Sequence, residues 1–150
     1  MKVLLTGADG FLGRATAQAL AAMPGIGALR LADRAFHGTP PTGAECLSGD
    51  LADPAFQDTL FADPPDAVIH LASAPGSLAE REPEMGWQAN VVAPFGLVRR
   101  TAALRRADGG PLRLVFASSI AVYGDLGDGP VTTDMPTRPQ LSYGAHKLMT

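Results

Sequence analysis

A chain of 150 residues, 46% hydrophobic and 18% charged with a net charge of −3, is long enough for one globular domain with a sizeable core and has the composition of a soluble protein. Its 12 basic residues are scattered apart from Arg99-Arg100 and Arg105-Arg106, two pairs in a helical stretch that read as a solvated face and not as a nucleic-acid patch. The single cysteine, Cys46, excludes an internal disulfide framework and metal-ligand spacing, and no run approaches the ~20 apolar residues of a membrane span, so a cytoplasmic protein with neither membrane nor nucleic acid as partner is expected.

Val3-Leu4-Leu5-Thr6 predicts a short buried strand closed by Gly7, and the apolar run is too short for a signal peptide. Residues 11–23 have helical composition and stop at Pro24-Gly25. Residues 28–33 predict a second strand, and Glu45-Cys46-Leu47 a shorter third that ends in Gly49-Asp50. A short helix over residues 54–61 follows Asp53, with Pro54 in its first turn. A fourth strand is predicted over residues 67–72. A long helix follows over residues 84–107, ended by Asp108-Gly109-Gly110-Pro111, and then a fifth strand over residues 112–117. The Gly-, Asp-, Pro- and Thr-rich loop over residues 124–139 is long enough to suggest a functional role, and a last helix begins near Ser142. Strands alternating with helices imply an α/β fold: a doubly wound parallel sheet covered on both faces, in one domain over residues 1–150.

Thr6-Gly7-Ala8-Asp9-Gly10-Phe11-Leu12-Gly13 stands between the first strand and the first helix, the context a dinucleotide-binding loop requires. Gly7 permits the tight turn, Gly10 the approach of a pyrophosphate to the backbone, and Gly13 close packing of helix on strand. The helix N-terminus then offers free N–H groups and partial positive charge to phosphates. Asp33 lies 20 residues beyond Gly13, at the end of the second strand. A carboxylate there accepts both ribose hydroxyls and repels a 2′-phosphate, which favours NAD over NADP, while the adjacent Arg34 keeps NADP open.

Ser142-Tyr143-Gly144-Ala145-His146-Lys147 sets a phenol and an ammonium at i and i+4 on one helix face. The ammonium favours the phenolate, which is how a tyrosine becomes a general acid or base near neutral pH. Ten of the 12 basic residues are Arg and the only lysines are Lys2 and Lys147, so a lysine at 147 stands out as a compact charge chosen over a planar fork. Ser118-Ser119 closes the fifth strand, and the carboxyl ends of strands in open α/β sheets face the ligand crevice.

Together these segments resemble the short-chain dehydrogenase/reductase superfamily, in its extended branch of NAD-dependent epimerases, dehydratases and dehydrogenases. Gly49-Asp50-Leu51, His70-Leu71-Ala72 and Ser118-Ser119-Ile120-Ala121-Val122-Tyr123-Gly124 complete the set, in family order over all 150 residues. The resemblance implies a Rossmann-type sheet. It implies Tyr143 as the acid/base, Lys147 holding the nicotinamide ribose and lowering the Tyr143 pKa, and Ser119 bonding the reacting oxygen, with Ser118 the lesser candidate. It implies that Gly7, Gly10, Phe11, Leu12, Gly13, Asp33, Asp50, Leu51, Leu71, Ala72, Ser73, Asn90, Tyr143 and Lys147 hold NAD. Ser73, Ser119 and Tyr143 would meet a small-molecule substrate. His70 reads as a buried strand residue, and His146 is assigned no role.

Finer features are similar to the D-erythronate dehydrogenase group: Glu82-x-Glu84-x-Gly86-x-x-x-Asn90, Ser119-Ile120-Ala121-Val122, and Pro139-Gln140-x-Ser142-Tyr143-Gly144-Ala145-x-Lys147-x-Met149. The Pro- and Gly-rich Ser73-Ala74-Pro75-Gly76-Ser77, and Tyr123 where that group tends to carry Phe, depart from it. The expected reaction is NAD-dependent oxidation of a secondary alcohol on a small sugar acid. The alternatives are a sugar-nucleotide epimerase or dehydratase that recycles bound NAD, and a non-catalytic NAD-binding module. The resemblance further implies a homodimer in the full-length protein and a substrate-binding portion beyond Thr150. The 150-residue piece alone is then expected to be inactive and marginally stable, with apolar surface left uncovered.

Overall fold

The first strand, β1 (Lys2–Thr6), has four of its five residues buried, the pattern of a strand covered on both faces. The computed structural model, which describes all 150 residues, places it at the centre of a five-stranded sheet. It pairs in parallel with β2 (Ala28–Asp33) on one side and β4 (Ala67–His70) on the other, while β3 (Glu45–Ser48) and β5 (Arg113–Phe116) form the edges. The order is β3-β2-β1-β4-β5. The chain therefore reverses its direction of travel across the sheet between β1 and β4, where open α/β sheets bind their ligands.

Alternate residues of β1 point to opposite faces. Val3 and Leu5 join Leu29 and Leu31 against Ala17 and Leu20 of α1 (Phe11–Ala22). Leu4 joins Ala32 and Val68 against Leu60 and Phe61 of α2 (Pro54–Phe61) and Ala93 and Leu97 of α5 (Ala93–Ala103). Helices thus cover both faces, as the alternation of elements implies. The Asp53 side chain caps α2 by accepting from the N–H of Ala55 at 2.9 Å, with Pro54 in the first turn. No helix is long and apolar enough to cross a membrane.

The structure differs from the sequence reading in three places. The Pro- and Gly-rich stretch after β4 folds into a short helix, α3 (Gly76–Arg81), with Pro75 as its N-terminal cap residue. The long helix starts at α4 (Pro83–Trp87), passes through a π-helical segment, Gln88–Val92, and continues as α5, ending at Ala103 instead of residue 107. Pro94 has no N–H to give the carbonyl four residues back, and the widened turn lies just before it. The early end follows from a tight turn that already begins at Arg105, which bridges Pro111 while the N–H of Arg106 donates to the carbonyl of Gly110 at 2.9 Å. β4 and β5 are shorter than expected, and residues 124–141 hold no helix or strand.

Candidate functional site

Gly7 has a left-handed backbone, φ 71°, and a Cβ there would meet the backbone of Leu71 and Ala72 where β4 ends. A Cβ on Gly13 would collide with the carbonyl oxygen of Gly7 and come within 2.8 Å of Ala8 Cα. Both glycines are therefore required by close backbone approach. Gly10 is the N-cap residue of α1 and brings no side-chain cap, so the first-turn N–H groups are left for a ligand. Phe11 and Leu12 are 92% and 61% exposed, so any part they take in holding a phosphate is through their N–H groups, with their side chains in solvent.

A cleft of about 200 Å³ opens over this loop, at the carboxyl ends of the strands. Eight of the residues expected to hold a dinucleotide line it: Gly7, Gly10, Asp33, Asp50, Leu51, Leu71, Ala72 and Ser73. Arg34, Gly49, Leu78, Met85 and Ala89 are among the other residues of its walls. Asp33 is oriented by two backbone donors, the N–H of Asp9 to Oδ2 and that of Arg34 to Oδ1, each at 2.8 Å. The Arg34 guanidinium turns to Asp50, 3.6 Å away.

Asn90 stands behind the cleft and does not line it. It is 2% exposed; its Oδ1 accepts from the Ala74 N–H (2.8 Å) and the Ser73 hydroxyl (3.0 Å), and its Nδ2 donates to the Ala74 carbonyl (3.0 Å). All three of these bonds fix residues 73–74, the segment that carries the cleft wall onward from β4. The π-helical segment is what holds it there.

Ser119 caps the 3-10 turn Ile120–Tyr123, its Oγ accepting from the Ala121 N–H at 3.2 Å. That turn packs closely on α6 (Ser142–Met149), since a Cβ on Gly144 would run into the Ala121 carbonyl. The Tyr143 ring lies against Gly76, where a Cβ would be 3.6 Å away, and so borders the 73–76 segment. Lys147 is 5% exposed; its Nζ donates to the Ala117 carbonyl at 2.9 Å and sits 4.7 Å from the centroid of the Phe116 ring. Burial lowers the Lys147 pKa, because the low-dielectric surroundings disfavour the ammonium. Nζ lies 6.0 Å from the centroid of the Tyr143 ring, and its hydrogen bond goes to the end of β5 and not to the phenol. Ser118 has only a long contact, 3.5 Å, to the Lys147 carbonyl.

His70 is a buried strand residue, as the sequence indicates: its Nδ1 is 2.6 Å from the Thr6 hydroxyl and its ring stacks on Phe116. Burial first, and the Lys147 charge second, push its pKa down to about 4 and keep it neutral. His146 packs edge-on against Trp87 and ties α6 to α4. Glu80, by contrast, is a site residue the sequence does not disclose. From α3 it accepts from the Ser142 hydroxyl at 2.6 Å and the Tyr143 N–H at 3.1 Å, anchoring the start of the helix that carries Tyr143 and Lys147. Glu80-Arg81-Glu82 reads as a solvated charge cluster, and only the packing of α3 on α6 gives Glu80 this task. No group of three or more His, Cys, Asp or Glu is placed to hold a metal ion.

A parallel sheet that delivers a glycine turn beneath a helix N-terminus, with a carboxylate at the end of the next strand, is the arrangement of the Rossmann-type fold. The sequence profile of the NAD-dependent epimerase/dehydratase family matches residues 3–150. D-erythronate dehydrogenase of Haemophilus influenzae is 31% identical over 99% of this chain and 47% of its own length. UDP-glucose 4-epimerase of Streptomyces lividans is 36% identical over 98% of this chain and 44% of its own. The crystal structure of Thermus thermophilus UDP-glucose 4-epimerase in complex with NAD superposes with a TM-score of 0.85 at 27% identity, over 99% of this chain and 48% of that one. The chain belongs to the NAD-dependent epimerase/dehydratase family. It spans about half the length of the curated relatives it matches.

Proposed function

We propose that this chain forms the NAD-binding and proton-transfer part of an oxidoreductase that oxidises a secondary alcohol on a small sugar acid of the D-erythronate kind. The observation that carries the reading is Lys147: a buried ammonium fastened to the end of β5, on the same helix face as Tyr143 and one turn along, beside the wall of a dinucleotide cleft. The residues present fit NAD, since the space a Cβ would take at Gly7 is filled by backbone and Asp33 presents an oriented carboxylate to the cleft. Bound NAD supplies the hydride acceptor.

Tyr143 is the acid/base that exchanges a proton with the substrate alcohol, and Ser119 holds that oxygen with its hydroxyl. Lys147 sets a positive charge one helical turn along from the phenol, on the same face. Asp33 holds the ribose hydroxyls and disfavours NADP. Glu80 and Asn90 act from behind, on the start of α6 and on residues 73–74.

The test is incubation of the full-length enzyme that carries this chain with D-erythronate and NAD. Net NADH formation supports the reading, and Tyr143→Phe should lower turnover by roughly 10²–10⁴ while NAD affinity is retained. Unchanged turnover in Tyr143→Phe overturns it. The identity to UDP-glucose 4-epimerase favours a second reading, in which the same residues oxidise and re-reduce a sugar nucleotide on retained NAD. Interconversion of UDP-glucose and UDP-galactose with no net NADH would select that reading. The groove bordered by Trp87, Val92, Phe95 and Met149, all at least 37% exposed, supports a homodimer built on α4, α5 and α6, for which sedimentation at increasing concentration is the check.

A further inference from the structure

Asp9 stands between the first two glycines of the loop, and nothing in the cofactor reading above uses its side chain. Yet that side chain is 8% exposed and carries five polar contacts. Oδ2 accepts from the His37 N–H at 2.8 Å and from Arg14 Nη2 at 3.1 Å; Oδ1 accepts from the Gly38 N–H at 3.1 Å and from Arg14 Nε at 3.0 Å. His37 Nδ1 lies 3.3 Å from Oδ2. The His37 backbone N–H, followed by the Arg14 guanidinium, holds the carboxyl well below the usual carboxylate range.

These contacts close a ring. The Asp9 N–H donates to Asp33 Oδ2, and the chain leaving Asp33 returns through His37-Gly38 to the Asp9 carboxylate. Residues 33–38 are thus tied to the glycine loop at both ends. Gly38 allows the return, since a Cβ there would stand 2.8 Å from Arg14 Nε and 3.1 Å from Asp9 Oδ1. Within the tied segment lie the two residues that decide what the cleft accepts at the adenosine ribose: Asp33, a repulsive carboxylate for a 2′-phosphate, and Arg34, a cation turned toward Asp50.

We propose that Asp9 is a positioning residue for cofactor choice: through its clamp on His37-Gly38 it fixes Asp33 toward the ribose and Arg34 toward Asp50, and so sets the preference for NAD over NADP. The proposal rests on the reading of the cleft as an NAD site. An untied segment lets Asp33 withdraw and frees Arg34 to meet a 2′-phosphate, so the two affinities are expected to move in opposite directions.

The experiment measures the affinities of the protein for NAD and for NADP by calorimetry, with unfolding followed on the same samples, in wild type, Asp9→Asn, Gly38→Ala, Asp33→Asn and the Asp9→Asn/Asp33→Asn double variant. Asp9→Asn is expected to shift the NAD:NADP affinity ratio toward NADP by roughly tenfold, the loss of about one charge-assisted hydrogen bond's worth of orientation. Gly38→Ala, which opens the clamp from the other side, shifts it the same way. In the Asp33→Asn background the Asp9 substitution should change the ratio no further. A folded Asp9→Asn with an unchanged ratio overturns the proposal, as does a shift that simply adds to that of Asp33→Asn. Should Asp9→Asn fail to fold, Gly38→Ala decides in the same manner, an unchanged ratio overturning it. Wild-type protein that binds neither dinucleotide refutes the cofactor reading itself, a result distinct from NAD binding with an insensitive ratio, which refutes the clamp alone.

Discussion

Replacing Gly13 with alanine sets two effects of opposite sign against each other. Gly13 is the third residue of α1, and alanine in a helix is favoured over glycine by about 1 kcal/mol. Against this, the new methyl group would collide with the Gly7 carbonyl oxygen and stand 2.8 Å from Ala8 Cα. Neither neighbour is a flexible side chain. The Gly7-Ala8 turn is held by two N–H bonds to the Ala32 carbonyl, at 2.9 and 3.2 Å, and by the Gly10 N–H on the Gly7 carbonyl at 3.2 Å. Relief therefore breaks about two backbone bonds at ~1 kcal/mol each and leaves overpacking strain of about 1–3 kcal/mol. After the helix gain is set against these, a net loss of about 2–4 kcal/mol remains. The displaced turn is also the one proposed to cradle the pyrophosphate, so NAD affinity is expected to fall at least tenfold (~1.4 kcal/mol). Denaturant unfolding of Gly13→Ala beside wild type, with the slope checked for constancy, reads the first quantity, and calorimetric NAD titration reads the second. A Gly13→Ala variant as stable as wild type, with unchanged NAD affinity, would refute the claim that close backbone approach and not turn propensity selects glycine here.

Asn90→Ala leaves the Ala74 N–H buried without a partner and its carbonyl with the Ser73 hydroxyl alone (3.3 Å), so a stability loss of about 1–3 kcal/mol is expected in denaturant unfolding, with NAD binding weakened through Ser73. Glu80→Gln is expected to loosen the start of α6 and destabilise the protein at neutral pH. The hydrogen bonds from Ser142 and from the Tyr143 N–H lower the Glu80 pKa in the folded state, so its contribution is present above the unfolded value of roughly 4.3 and is lost as pH falls through the folded value. The stability gap between wild type and Glu80→Gln should accordingly close on acidification, and a gap independent of pH would refute the anchor. Lys147→Met removes a desolvated ammonium along with its bond to Ala117, and stability at neutral pH is expected to stay within about 1 kcal/mol of wild type while turnover collapses.

The alternation of short apolar runs with helical segments was enough to specify a parallel, doubly wound sheet, because a strand buried on both faces and a helix with one apolar stripe can satisfy each other in few ways. The helix boundaries were less legible. Residues 104–107 have helical composition, but the tight turn from Arg105 to Pro111 claims their backbone. The Pro- and Gly-rich run after His70 hid α3, because Pro75 and Gly76 are turn residues by propensity, and the Asn90 bonds that fix Ala74 just before the helix start come from far along the chain.

The cleft-lining residues could be read from the sequence for a local reason. A glycine loop, a carboxylate at a strand end and a Tyr–Lys pair one helical turn apart each carry their chemistry within a few residues. What links them is non-local. Lys147 is bonded to Ala117, Glu80 to Ser142 and Tyr143, Asn90 to residues 73–74, and Asp9 to His37 and Gly38. Each of these bonds joins segments 16–63 residues apart, and no spacing along the chain announces them. The sequence by itself determined which groups carry the chemistry proposed here for binding a dinucleotide and moving a proton. Tertiary structure alone decided how those groups are held, since orienting a side chain takes a hydrogen-bond partner whose position depends on the packing of the whole sheet.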